Sequence, residues 1–163
     1  MHRIHGIHEL MRQAYRGEPG RTDATAWHGP SLDKLLEGVT AAMALARPIA
    51  GAHSIWELAL HIAQWDEICA RRLRGEFIPT TIGDPEDWPA LPEPNESSWQ
   101  ETLVRLRRSQ DEFLSEVEKL APEDLEKIVP GWTWTNFLMI HGTLHHDLYH
   151  AGQIALLRRT LQA

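Results

Sequence analysis

Ten of the 163 residues are histidine and only one, Cys69, is cysteine, so any metal chemistry in this chain falls to imidazole. Two histidine pairs stand four residues apart, His141/His145 and His146/His150. On a helix that spacing leaves the Cβ atoms about 5–6 Å apart, and two ring nitrogens can then converge on one ion at about 2.0–2.1 Å each. At 100° per residue, Met139, His146, His150, Gln153 and Leu157 fall within a stripe of about 60°. His141, His145, Gly152 and Arg159 fall on another face, about 140° away. Apolar residues bound the first stripe, which should point inward; the second ends in an arginine and should meet solvent or a partner. His146 and His150 are therefore the pair to follow. Upstream, His61 shares a helical face with Leu58, Trp65 and Ile68 and would point inward opposite them.

A plainer reading stands beside this one. A lone histidine on an apolar face is usually a core residue hydrogen-bonded to a neighbour, and an HxxxH spacing arises by chance in a histidine-rich helix. Against it, three inward imidazoles are costly to bury without partners, and one shared ion satisfies all three. Cys69 is a poor fourth ligand, because it lies eight residues and about 12 Å along the helix from His61; a small core residue is the better reading. His2, His5 and His8, spaced by three near the terminus, should be solvated, and His28 and His53 sit in connections. The seven tryptophans are expected as core or crossing-loop anchors, with Trp65, one turn beyond His61, able to wall a pocket.

Three long helices must position these groups. One spans Ser54 to about Arg74, opened by a Ser54/Glu57 capping box and closed at Gly75. A second runs from Ser98, with Glu101 completing a box, to about Leu120, where Pro122 stops it. The third runs from near Thr135 to about Leu161, is apolar nearly all round and should be the most buried. A fourth, weakened by Gly6, is expected over the first sixteen residues. Short helical pieces should cover Ser31–Glu37 and Thr40–Ala46, and the proline-rich stretch Pro79–Pro94 cannot be a regular element. No segment alternates with period two. The expected architecture is a single all-α domain over residues 1–163, a four-helix bundle with long crossover connections that permit parallel neighbours.

Composition narrows the function classes. With 16 Lys+Arg against 23 Asp+Glu the formal charge is −7, and there is no basic stretch to bind phosphates, which argues against a nucleic-acid partner. The longest apolar run, Ala41–Ala46, is far short of the roughly 20 residues of a membrane span. The first ten residues read as neither a signal peptide nor a tag. One cysteine excludes a disulfide framework and fits a reducing, cytoplasmic setting.

The segment His61-Ile62-Ala63-Gln64-Trp65, with Ser54 and Leu58 ahead of it, and the run Gly142 to Ile154 with its H-xxx-H-x-G-Q-I pattern resemble the two signature regions of the DinB/YfiT-like superfamily. Trp27-His28-Gly29-Pro30-Ser31 and the stretch Pro48 to Ser54 resemble one branch of it. The resemblance implies a bundle wired up-down-down-up and a divalent metal, nickel or zinc foremost and iron or manganese after them, held by His61, His146 and His150. The expected partners are a small-molecule substrate and a second copy of the chain in a homodimer.

Three neutral imidazoles leave an ion its full charge and open positions, the arrangement of a catalytic site. Two chemistries follow: hydrolysis by metal hydroxide, or transfer of a low-molecular-weight thiol, supplied from outside, to an electrophile. Gln153, one turn past His150, could position substrate or a bound water. Glu57, one turn before His61, could orient that imidazole. Both are equally readable as ordinary polar contacts. The competing class is a non-catalytic, stress-related dimeric bundle in which the ion only joins two helices.

Overall fold

The computed structural model describes residues 2–79 and 81–162. Its framework is four long helices, α1 (His2–Arg16), α4 (Ile55–Leu73), α5 (Glu96–Glu118) and α6 (Asn136–Gln162), with the short α2 (Leu32–Leu36) and α3 (Ala41–Leu45) between the first two. A single 3-10 turn covers Pro122–Glu126, and a two-residue hairpin pairs Thr25–Ala26 with Gly29–Pro30. The described chain is thus essentially all-α. No helix among the described residues is long and apolar enough to cross a membrane.

Local chemistry sets most boundaries. Ser54 caps α4 and the reciprocal bond from Glu57 completes the box, which satisfies two of the orphan amide donors at that end. Ser31 and Thr40 cap α2 and α3 in the same way. The start of α5 departs from expectation: Asn95 accepts from the Ser98 amide at 2.9 Å, so the helix opens at Glu96, two residues before the expected serine. Asparagine caps at least as well as serine.

α4 packs against α5 and α6, and α1 packs against the same two. Two apolar clusters fill the interior. One joins the N-terminal half of α4 (Ile55, Trp56, Leu58, Ile62) to Trp99 and Leu106 of α5 and to Ile154 and Leu157 of α6. The other joins Cys69 and Ala70 of α4 to Phe113 and Val117 of α5, to Met139 and Ile140 of α6 and to Ile4, Met11 and Tyr15 of α1. Two buried indoles brace the first cluster: Trp56 donates to Thr102 Oγ1 at 2.9 Å and Trp99 to the Val39 carbonyl at 2.6 Å. The middle of α4 and the middle of α6 meet at the seam between these clusters, and the candidate histidines lie there.

α6 is not buried all round. Leu138, Tyr149 and Leu156 are more than half exposed, and together with the exposed His145 and Gly152 they form an outward stripe that no other described element covers.

Candidate metal centre

The structure brings His61 of α4 together with His146 and His150 of α6. Their ligand atoms lie within 4.8 Å of one another; His146 Nε2 is 2.9 Å from His61 Nε2 and 3.1 Å from His150 Nε2. Two nitrogens bonded to one ion at about 2.0–2.1 Å stand about 2.9–3.4 Å apart for bond angles between a right angle and the tetrahedral value. The two separations from His146 fall in that range, and the His61–His150 pair lies within 4.8 Å, wider than that range.

The outer nitrogen of each ring decides what the inner one offers. The Asp87 carbonyl can only accept, so His61 Nδ1, 2.7 Å away, carries the proton. His150 Nδ1 donates to Gln153 Oε1 at 2.6 Å. His146 Nδ1 lies 3.3 Å from Asp147 Oδ1. With all three outer nitrogens turned to acceptors, three Nε2 lone pairs converge with no proton between them. A cation resolves that arrangement, and this donor set fits a divalent metal. Burial holds the His61 imidazole below its usual range and takes His150 down to about 4, partly offset by the Gln153 bond. Both are neutral at neutral pH.

Further groups fix the rings. Trp88 stacks on His61 at 3.8 Å and on His53 at 3.6 Å, so its indole is sandwiched between two imidazoles. Asp87 Oδ1 accepts from Trp65 Nε1 at 2.9 Å. Asp87 and Trp88 come from the irregular proline-rich segment, which is thereby tied to α4. Behind His146, Asp147 Oδ2 accepts from the buried Tyr15 hydroxyl at 2.9 Å, linking α1 to the centre. Asp66 is fully buried beside Asp147, and neither of its oxygens meets an N–H or hydroxyl donor among the described residues. Burial and the neighbouring Asp147 charge push its carboxyl well above the usual range, and burial raises Asp147 as well, against the donors from His146 and Tyr15. Asp66 is therefore the member of the pair that holds a proton.

The other expected residues fall as follows. Gln153 reaches His150 rather than the cavity. Glu57 is placed elsewhere: its carboxylate accepts from the Ser54 amide at 2.7 Å and pairs with Arg47, because helical side chains lean toward the N-terminus, away from His61. Asp87 supplies the bond to the His61 outer nitrogen instead. Cys69 is buried against the Thr143 hydroxyl, and burial pushes its thiol up to about 12. His141 bonds the Phe137 carbonyl, and His145, His5 and His28 are exposed; the His2 side chain lies outside the described residues. Sequence reasoning missed Asp87, Trp88 and Asp147. A signal existed for Trp88, the one aromatic residue in the proline-rich connection Pro79–Pro94.

Over the Nε2 atoms opens a cavity of about 650 Å³ walled by Trp65, Trp88, Trp132, Trp134, Met139 and Tyr149. Fold and centre together define a helical protein with a convergent three-histidine cluster at the floor of an aromatic cavity. Residues 24–154 match the DinB superfamily, and the chain belongs to that superfamily. No curated protein and no solved structure matches it.

Proposed function

We propose that this DinB-superfamily protein binds one divalent metal ion through His61, His146 and His150 and is an enzyme acting on a small molecule. The observation that carries the reading is the convergence of three histidine Nε2 atoms at the floor of an open cavity, since a purely structural ion would be enclosed by protein ligands. A divalent ion there supplies Lewis acidity, lowering the pKa of a water or thiol that reaches it. The chain's own residues do the rest. Asp87, Gln153 and Asp147 hold the imidazoles in the ligating tautomer, and the indoles wall the space above them.

Of the two chemistries, transfer of an external low-molecular-weight thiol to an electrophile is the better supported. It asks little of the protein in proton transfer: the sulfur attacks the electrophilic carbon, the leaving group departs with its bonding pair, and the thiol proton passes to solvent. Hydrolysis also needs a proton for the leaving group, and the carboxylate at the wall, Asp87, already accepts from Trp65. Cys69, buried with its thiol pushed up to about 12, is no nucleophile, so the sulfur must be supplied from outside.

The same reading includes a four-helix bundle wired up-down-down-up. It is supported by the shared cluster of the α4 and α5 N-terminal halves with the α6 C-terminal half. It also includes one domain in a reducing compartment, and a homodimer formed on the exposed stripe of α6. Nickel and zinc are the first candidates for the ion. The test is to incubate metal-loaded protein with glutathione, bacillithiol or mycothiol plus a chlorinated aromatic, and separately with ester and amide panels. Metal-dependent thioether formation is the expected result. Silence in both panels with metal bound would leave a non-catalytic metal-binding bundle.

A further inference from the structure

The distribution of tryptophan is uneven in a way that core packing does not require. Two of the seven, Trp56 and Trp99, are fully buried in the first apolar cluster, and Trp27 is 97% exposed. The other four, Trp65, Trp88, Trp132 and Trp134, line one cavity. The two main apolar clusters are built mostly from Leu, Ile, Val and Ala. This cavity instead has indoles, the Tyr149 phenol and Met139, and no branched aliphatic side chain among its lining residues.

The rings are held in place before anything binds. Trp88 is clamped between His53 and His61. Trp65 is anchored through its N–H to Asp87. Trp132 carries the buried Arg72 guanidinium 4.3 Å over its ring, and that guanidinium is fixed by a 2.6 Å bond to the Pro79 carbonyl. Trp132 and Trp134 lie 4.8 Å apart, tilted 53°, on a loop secured by the Val129 amide to the Trp134 carbonyl and the Asn136 amide to the Lys127 carbonyl. Gly131, at φ +80°, lets that loop close on Phe77, where a Cβ would come within 2.5 Å of the ring. Trp134 at the rim is 52% exposed, so its face is open to an incoming molecule.

Pre-set ring faces favour flat, polarisable ligands, because offset or edge-to-face aromatic pairs add to plain area burial and rigid walls cost little to organise. Among the described lining residues, Asp87 is the one acidic or basic side chain besides the histidines. The volume of about 650 Å³ suits a molecule of drug-like size.

We propose that this cavity selects a small molecule bearing an uncharged planar aromatic ring system, seated among Trp65, Trp132 and Trp134 with its reactive end toward the three Nε2 atoms. The proposal rests on the metal-enzyme reading and names the substrate class of that site.

The test compares 1-naphthalenemethanol with its saturated decahydronaphthalene counterpart by titration calorimetry on the full-length protein, with metal content measured on the same sample. The aromatic alcohol should bind about tenfold tighter than the saturated one. Trp132→Leu and Trp134→Leu should each weaken the aromatic probe about tenfold and the saturated probe less than about threefold. Trp27→Leu should change neither, and circular dichroism confirms that each variant is folded. Equal affinities for the two probes, no binding of either up to about 1 mM, or folded Trp132→Leu and Trp134→Leu variants that bind as wild type would overturn the proposal. A sample that holds metal but does not distinguish the probes refutes the aromatic selection alone. One that distinguishes the probes but holds no metal refutes the metal reading alone.

Discussion

Replacing Gln153 by leucine should weaken metal binding without unfolding the protein. Gln153 is half-buried, and its Oε1 takes the His150 Nδ1 proton at 2.6 Å; His150 itself is 6% exposed, so no water stands ready to replace the amide. Without that acceptor the buried N–H is left unpaired, at a cost of about 1–3 kcal/mol, or the ring changes tautomer and puts its proton on Nε2, where an ion must displace it. Loss of such an outer hydrogen bond typically lowers metal affinity about 10- to 100-fold, or about 1.4–2.8 kcal/mol. Competition with a chromophoric chelator at pH 7.5 reads this directly. Gln153→Glu is the control: a carboxylate also accepts the proton and should keep affinity at or above wild type. If Gln153→Leu binds zinc and nickel as tightly as wild type while melting normally, the argument that outer-nitrogen partners set the ligating tautomer is wrong.

Other outcomes follow from the same contacts. Metal-free protein should lose stability as pH falls from 6.5 toward 4. Over that range the unfolded chain protonates a His150 whose folded value is depressed from 6.5 to about 4; the loss is about 3 kcal/mol relative to His150→Gln. Urea melts on both proteins would show it, and a pH-independent difference would contradict it. Asp66 behaves oppositely: its raised folded value means that stability present below the unfolded pKa of 3.8 is lost as pH rises toward the folded value. Asp66→Asn should therefore be more stable than wild type at pH 8, by about 1.4 kcal/mol for each pH unit of the raise, and no more stable near pH 4. Equal differences at the two pH values would refute this. Phe113→Ala, at a position with no exposure in the second cluster, should cost about 3–5 kcal/mol in chemical denaturation, and a loss below 1 kcal/mol would show that the site is not close-packed.

The helices and the three histidines were legible because their signals are local and periodic. Ser54 with Glu57 marks one helix start, Ser31 and Thr40 mark two more, and the angular sorting of His61, His146 and His150 needs only 100° per residue. What could not be read came from tertiary contacts of irregular chain. Nothing periodic places the Asp87 carbonyl on His61, or sandwiches Trp88 between His53 and His61. Glu57 is the capping-box partner of Ser54, as its spacing said; its alternative reading as a partner of His61 fails because helical side chains lean toward the N-terminus. The burial of α6 was overestimated for a related reason. An apolar residue such as Leu138 or Leu156 has no marker for whether another element will cover it, and the crowd of tryptophans did not announce that four of them share one cavity.

The central claim is that His61, His146 and His150 hold one ion together. Elemental analysis of protein purified without added metal, alongside His61→Ala, His146→Ala and His150→Ala, tests it most directly. The account predicts close to one equivalent of a divalent transition metal per chain in the parent, falling to under about a tenth in each variant. Under a tenth of an equivalent in the parent after incubation with nickel or zinc, or unchanged content in the His61→Ala variant, would contradict it.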